Sequence, residues 1–318
     1  MDKNSIIYVA GHTGLVGSAI RRKLEAQGYS RLIGRRHAEL DLERQSEVEA
    51  FFESERPEYV FLAAARVGGI VANNAYPAEF IYTNLTIQTN IIHASWKTGV
   101  KRLLFLGSSC IYPRECPQPM KESYLLSGPL ESTNEPYAIA KIAGIKTCQS
   151  YNRQYGTRFY SVMPTNLYGP NDNFDLETSH VMPALIRKFH EAKVNRRDTV
   201  EVWGSGTPQR EFLHVDDLAD ACLYIIDLDE GVFSSLLSDP FPLINVGWGK
   251  DLSVRELAEL IRTVVGYEGE VVFNRDKPDG TPRKLLDVSR ITSLGWRPAI
   301  SLEQGIRETY QWAVENRL

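Results

Sequence analysis

The 318-residue chain has little of what marks several large protein classes. No apolar run approaches the ~20 residues needed to cross a bilayer, so no membrane partner is expected. Net charge is a mild −4 with no basic stripe, which argues against nucleic acid as a partner. The four cysteines, Cys110, Cys116, Cys148 and Cys222, form no CxxC pair. Neither a zinc knuckle nor a disulfide framework is suggested; no metal is expected, and each cysteine reads as a free thiol of a reducing compartment. The charged start runs straight into a short strand-like run, which predicts no secretory leader and a cytoplasmic protein. Internal repeats, low-complexity tracts and long linkers are absent too. What is present is an ordinary enzyme-like composition, 43% apolar and 24% charged. The chain is long enough to bury a full core and to split into two lobes.

The first half alternates strand and helix signals. Residues 6–10 form a short apolar run that stops at glycine, and 16–27 carry helical spacing up to Gly28. A strand-like 31–33, a helical 44–54 and a continuous apolar run at 59–65 follow; the last is the pattern of a strand covered on both faces. A long helix is predicted over 81–98, a buried strand over 102–107, and a second long helix over 135–155 between Pro136 and Gly156. A strand at 159–163 completes an order that predicts an α/β fold, a doubly wound parallel sheet. After about Asn166 turn-rich segments such as 169–173 and 204–208 intervene, while 253–265 and 301–316 read as amphipathic helices. The expected organisation is a Rossmann-like dinucleotide-binding domain over 1–166, rejoined by 211–247 through a helix at 216–226 and a strand at 243–246. Residues 167–210 and 248–318 form a smaller α+β substrate lobe. Ligands then belong at the boundary between the two.

Between the first strand and the first helix stand Gly11, His12, Thr13, Gly14, Leu15, Val16 and Gly17, a GxxGxxG pattern. In that context glycine allows a tight turn and a close approach of a pyrophosphate, and the helix N-terminus supplies N–H donors. The plainer reading is a structural turn. A site for NAD carries Asp or Glu about twenty residues further on, at the end of the second strand. Here the chain reads Gly34-Arg35-Arg36-His37, with no acid. A carboxylate would repel a 2′-phosphate and arginine can grip one, so NADP(H) is expected; otherwise both arginines are solvated loop charges. Asp41 and Leu42 could flank the adenine. Ala63, Ala64 and Ala65, and then Leu106, Gly107 and Ser108, end two later strands at the edge where such sheets bind ligands.

Tyr137 and Lys141 lie four apart on a predicted helix, hence on one face. An ammonium beside a phenol favours the phenolate. A lone YxxxK is common, and would then be a half-buried tyrosine with a surface lysine. Here it has companions: the glycine loop, the helix position, and Ser108-Ser109 at the end of the preceding strand. Together these features resemble, over nearly the whole chain, the extended short-chain dehydrogenase/reductase family of sugar-nucleotide epimerases, dehydratases and reductases. The resemblance implies that Tyr137 gives or takes a proton and that Lys141 orients cofactor and phenol. It adds Pro164, Thr165, Asn166, Leu167 and His180 to Ser108 and Lys141 among the cofactor contacts. Dehydratases of the family carry an acidic pair after the strand-end hydroxyl; this chain reads Gly107-Ser108-Ser109-Cys110-Ile111-Tyr112-Pro113. Elimination of water is therefore poorly served. Cys110 is either a group that removes a proton α to a carbonyl or a small buried apolar residue.

Further stretches resemble one branch of that family. They are Val67-Gly68-Gly69-Ile70 with Asn73-Asn74, Asn134-Glu135-Pro136-Tyr137, Asn166-Leu167-Tyr168-Gly169-Pro170, Asn171-Asp172-Asn173-Phe174, Ser179-His180-Val181-Met182-Pro183-Ala184-Leu185, and Lys277-Pro278-Asp279-Gly280-Thr281-Pro282-Arg283-Lys284. That branch acts on GDP-4-keto-6-deoxy-D-mannose, epimerising C3 and C5 and reducing C4 with NADPH. The resemblance implies that Cys110 and His180 are the acid–base pair of the epimerisations, and that Tyr137, helped by Ser108 and Lys141, serves the reduction. It also implies that Lys188, Trp203, Arg210 and Asp279 hold the GDP-sugar, and that the two long helices pair into a homodimer. His180 has a plainer reading as the cap of a helix beginning near Pro183. By themselves His12, His93, His190 and His214 read as structural or surface residues, while His37 could join the phosphate site. Bacterial relatives often carry arginine where Thr13 stands, which leaves NADP selectivity to Arg35, Arg36 and His37. Two rival functions remain. A redox-neutral 4-epimerase holding NAD would need neither Cys110 nor the arginines, and a dinucleotide-sensing regulator would not need the Tyr–Lys pair.

Overall fold

The computed structural model describes residues 1–277 and 279–318; Pro278 lies outside the described residues, as does the side chain of Ile70. β1 (Ile7–Ala10) runs through the glycine loop into α1 (Leu15–Ala26); β2 (Leu32–Ile33), α2 (Gln45–Glu55) and β3 (Tyr59–Leu62) follow. The short α3 (Ile70–Ala75) and the long α4 (Pro77–Lys97) precede β4 (Arg102–Leu106). Two 3-10 turns, Ser109–Ile111 and Glu122–Tyr124, lie on the way to α5 (Glu135–Tyr155) and β5 (Phe159–Pro164). The second half runs β6 (Asn166–Tyr168), α6 (Val181–Val194), β7 (Thr199–Trp203), β8 (Gln209–His214), α7 (Val215–Ile226), α8 (Glu230–Leu237) and β9 (Leu243–Val246). It ends with β10 (Asp251–Ser253), α9 (Val254–Val265), β11 (Glu270–Asn274), β12 (Arg283–Lys284), α10 (Ser289–Ser293) and α11 (Leu302–Asn316).

The main sheet has the order β2-β1-β3-β4-β5-β9, and every pairing in it is parallel. Its two faces explain the uninterrupted apolar strands. Along β1, Ile7 and Val9 join a core with α1 and α7, while Tyr8 and Ala10 join a second core with α2, α4 and α5. This is the period-two alternation of a strand with both faces covered. Phe61, fully buried in the first core, is worth about 3–5 kcal/mol against alanine. The chain leaves β1 for β2 on one side and returns to β3 on the other. A crevice therefore opens at the ends of β1 and β3, where ligands bind in such sheets.

Some element ends differ from the sequence reading. The third strand stops at Leu62, and the Ala63 N–H donates to the Ala10 carbonyl at 3.1 Å, turning 63–65 over the glycine loop. The first long helix starts at Pro77, in the opening turn where a missing N–H costs nothing. α5 stops at Gly156, whose φ of +66° suits glycine.

The smaller lobe has a sheet in which β8 pairs with β10, β12 and β6, beside a two-stranded parallel pair, β7 and β11. Its core includes Ile186, Phe189, Val202, Leu257 and Ile261. The lobes are stitched together in both directions. Residues 211–214, expected in the larger lobe, run in β8, where Phe212 enters the small core and Leu213 the large one. Residues 286–296, expected in the smaller lobe, return: Leu286, Ile291 and Trp296 pack in the main cores, and the Trp296 Nε1–H donates to Asp220 at 2.9 Å. The fully buried Glu211 carboxylate ties the seam by accepting from the N–H groups of Gly249 (2.7 Å) and Leu286 (3.0 Å).

Candidate active site

The glycine loop makes a crevice lined by backbone. Gly11 has φ +81°, and a Cβ on it would come within 2.8 Å of the Ala64 nitrogen. A Cβ on Gly17 would lie 2.1 Å from the Gly11 carbonyl oxygen. Gly14 opens α1 with no side-chain cap, so the first-turn N–H groups of Leu15, Val16 and Gly17 have no intrahelical partner and face an anion site. Thr13 is exposed at the rim. His12 packs against Gly34, where a Cβ would come within 2.4 Å of the imidazole. Its buried Nδ1 has no partner among the described residues. Burial first, then Arg21, lowers the His12 pKa.

The two arginines after β2 part company. Arg35 is pinned: it pairs with Glu55 at 2.5 Å, donates to the Gly34 carbonyl and lies 5.5 Å from the Phe51 ring centre. Arg36 is exposed and makes no ion pair among the described residues. Arg35 is thus engaged within the protein, whereas Arg36 has no ion-pair partner among the described residues. Asp41 organises its own turn, accepting from the Glu43 N–H and pairing with Arg44 (3.3 Å), with His37 3.9 Å away. The Leu42 carbonyl accepts from Asn90. Ala63, Ala64 and Ala65 border the crevice directly after β3; Leu106, Gly107 and Ser108 end β4; and Pro164, Thr165, Asn166 and Leu167 link β5 to β6. Thr165 and Asn166 both donate to the Glu211 carbonyl.

Ser108, Cys110, Tyr137 and Lys141 come together at the end of β4. Ser108 Oγ accepts from the Cys110 N–H at 3.3 Å, and the Ser108 side chain is near enough to the Tyr137 hydroxyl to act on its pKa. The Tyr137 ring meets Phe80 edge-on at 6.3 Å between centroids. Enclosure by protein raises the Tyr137 pKa far above its usual range; Cys110 adds to this and Ser108 opposes it. Lys141 is buried one turn further along α5. It donates to the Leu106 carbonyl at 2.8 Å, and its Nζ lies 5.8 Å from the Tyr137 ring centre. Burial lowers its pKa to about 8, with Cys110 opposing. The shift of Tyr137 runs upward, away from the phenolate that an adjacent ammonium would favour.

His180 occupies the N-cap position of α6, which begins at Val181 with Pro183 in its first turn, but its side chain makes no capping hydrogen bond. The plain capping role is thus absent, and the residue is exposed. Its pKa is lowered first by the protein surrounding it and then by Lys284. Burial raises the Cys110 thiol, opposed by the Ser108 hydroxyl and then by the ammonium groups of Lys284 and Lys141. Lys284 thus acts on both Cys110 and His180. It sits on β12, opposite Arg210 on β8, and burial lowers its own pKa. Sequence reasoning assigned it no role. Its only signal is the end of the 277–284 motif, and a two-residue strand shows no periodicity.

The four residues expected to hold a GDP-sugar line the small-lobe side. Lys188 Nζ donates to the Glu201 carbonyl at 3.0 Å and lies 5.2 Å from the centre of the half-exposed Trp203 ring. Arg210 is partly buried and donates to the Gln209 carbonyl. Asp279 is already committed: its oxygens accept from the Ser205 N–H (2.6 Å) and hydroxyl (2.8 Å), clipping the turn after Trp203. The remaining histidines are structural: His93 bonds Tyr151 and His190 bonds Tyr310, while His214 caps α7.

Residues 7–234 match the model of the NAD dependent epimerase/dehydratase family. The chain belongs to this family. Within it, the chain is 60% identical over 311 residues to the GDP-L-fucose synthase of Escherichia coli (strain K12), covering 98% of this chain and 97% of that one. It is 60% identical over 315 residues to GDP-L-fucose synthase 1 of Arabidopsis thaliana, covering 99% and 95%. A solved GDP-L-fucose synthetase from Naegleria fowleri bound to NADP superposes with a TM-score of 0.90 at 30% identity, covering 99% of this chain and 94% of that one.

Proposed function

We propose that the chain is a bifunctional 3,5-epimerase and NADPH-dependent 4-reductase that converts GDP-4-keto-6-deoxy-D-mannose to GDP-L-fucose. One observation carries the reading. Tyr137 and Lys141, a reductive pair, stand beside Cys110, and the charge of Lys284 acts on both Cys110 and His180, two further titratable groups. Near-full-length relatives named GDP-L-fucose synthase at 60% identity support the substrate.

The crevice fits NADP(H). Gly11 and Gly17 let the loop close tightly on itself and on Ala64 where any side chain would clash, and the buried His12 Nδ1 lacks a partner among the described residues beside the exposed Arg36. The 11–17 backbone would hold the pyrophosphate, His12 and Arg36 the 2′-phosphate, and Lys141 the nicotinamide ribose. When bound, the reduced nicotinamide supplies the hydride that C4 receives. Tyr137, kept protonated by its surroundings, delivers a proton to the C4 oxygen, and the Ser108 hydroxyl donates a second hydrogen bond there. C3 and C5 both adjoin the C4 ketone, so loss of a proton from either gives an enolate that the same donors stabilise. Inversion requires a proton to leave one face and another to arrive on the opposite face. Cys110 and His180 serve as the two proton-handling groups, and Lys284 tunes both. Lys188, Trp203 and Arg210 bind the nucleotide end, and Asp279 holds the turn that presents Trp203.

The assembly we propose is a homodimer formed through α4 and α5, which expose Tyr82, Ile139 and Tyr155. A cytoplasmic location accords with the four free cysteines; no helix among the described residues is long and apolar enough to cross a membrane. The deciding experiment supplies GDP-4-keto-6-deoxy-D-mannose and NADPH in deuterated water. Cofactor oxidation with deuterium at both C3 and C5 is expected. A folded enzyme that oxidises no NADPH would sink the proposal.

A further inference from the structure

The tip of the small lobe gathers more positive charge than the site described above uses. β7 and β11 end in register at Trp203 and Asn274. The turns beyond them are clipped together by Asp279 and Ser205. Around that clip stand Lys188, Arg210, Arg275 and Lys277, and the Asp279 carboxylate feels both arginines. Both of its oxygens are already taken by Ser205, so it is poorly placed to neutralise the rest. The ammonium groups of Lys188 and Lys277 each lie 5.2 Å from the centre of the Trp203 ring. Lys188 is held by the Glu201 carbonyl. The Lys277 backbone N–H donates to the Asn274 carbonyl, but its exposed ammonium makes no hydrogen bond or ion pair among the described residues. Two like charges on one indole repel, and a cation–π contact at an exposed ring offsets little of that. An anion brought to the ring would relieve both.

We propose that Lys277 is a diphosphate-binding residue for the nucleotide sugar, resting on Trp203 and leaving that face to the base as its ammonium takes up a phosphate oxygen. This rests on the reading of the chain as a GDP-sugar enzyme. A charge-assisted bond to phosphate is stronger than a cation–π contact on a wet indole, so the exchange runs downhill. The base keeps a flat partner in Trp203, while Lys188 and Lys277 bring two positive charges to a group carrying two or more negative ones. Because Lys277 is exposed, its contribution is screened by salt.

The test uses the full-length native enzyme with Lys277→Met, Lys277→Arg and Trp203→Ala, titrated calorimetrically with GDP, guanosine and NADPH at low and high salt. Lys277→Met keeps the side-chain length and removes the charge. It is expected to weaken GDP about tenfold at low salt and less at high salt, with guanosine changed by less than about twofold. NADPH affinity should not move, and Lys277→Arg should keep GDP within about threefold of native because it restores the charge. An equal loss for GDP and guanosine would mean that Lys277 only packs Trp203, and unchanged GDP affinity would mean that it binds nothing; either overturns the proposal. If Trp203→Ala loses GDP while Lys277→Met does not, the GDP-sugar reading stands without Lys277. If the native enzyme binds no GDP, both fail.

Discussion

Along the ends of β1, β3 and β4, the chain offers N–H groups and bare glycines in three short contiguous loops, 11–17, 63–65 and 106–108. Across the cleft the surface is made of side chains. Lys188 comes from α6, Trp203 from β7, Arg210 from β8 and Lys284 from β12, with Asp279 and Lys277 from the turn between β11 and β12. The first wall needs backbone to approach backbone closely, which Gly11 and Gly17 allow. The second needs charges held at fixed separations, which only the packing of distant segments provides. Cys110 and His180 belong one to each construction: Cys110 follows β4 directly, while His180 reaches the cleft because α6 begins there.

That contrast can be broken or sharpened by experiment. The largest effect is expected at Tyr137. Tyr137→Phe removes the proton donor at C4 and should lower reduction by roughly 10³-fold. Deuterium exchange at C3 and C5 should persist, as measured by mass spectrometry of substrate recovered after incubation without NADPH. Next, Cys110→Ser should slow that exchange by roughly 10²-fold, while NADPH affinity stays within about twofold; parallel loss of both would assign Cys110 to packing alone. Third, Lys284→Met removes the ammonium that opposes the rise of the Cys110 pKa and lowers that of His180. Exchange should fall by roughly tenfold, and its pH profile should move to higher pH because both groups then protonate more readily. An unshifted profile would make Lys284 a spectator.

A smaller effect should appear in the pH dependence of reduction. Lys141 carries its charge below about 8 and loses it above. kcat/KM for NADPH oxidation should therefore decline as pH rises through that value, since this parameter reports groups of the free enzyme. The smallest effect tests the backbone wall itself. Arg36→Ala should weaken NADPH about fivefold and leave NADH unchanged, whereas Arg35→Ala should alter NADPH by less than about twofold, because Arg35 is held by Glu55 and Phe51. Equal losses at both positions would show that Arg35 leaves Glu55 to reach the phosphate.

Much of the fold was legible for a simple reason. Strands covered on both faces must be apolar throughout, and the helices between them must carry a 3.6-residue period. The α5 boundaries at Glu135–Tyr155 and the β9 boundaries at Leu243–Val246 follow directly from such patterns. The small lobe was harder. β6, β10 and β12 have three, three and two residues, too few for any period to show, and their pairing on β8 depends on segments far apart in the chain. The same holds for the return of Ile291 and Trp296 to the main core.

The sequence by itself determined the parallel α/β sheet, the glycine loop and the Tyr137–Lys141 spacing, because each depends on neighbours within one strand, turn or helix. Tertiary structure decided what those groups are. Enclosure pushes the Tyr137 pKa upward, where its spacing from Lys141 had suggested the opposite direction. Glu55 paired with Arg35 from twenty residues away. Lys284 reached Cys110 and His180 across more than a hundred residues of chain, because charge acts through space and the sequence records only order.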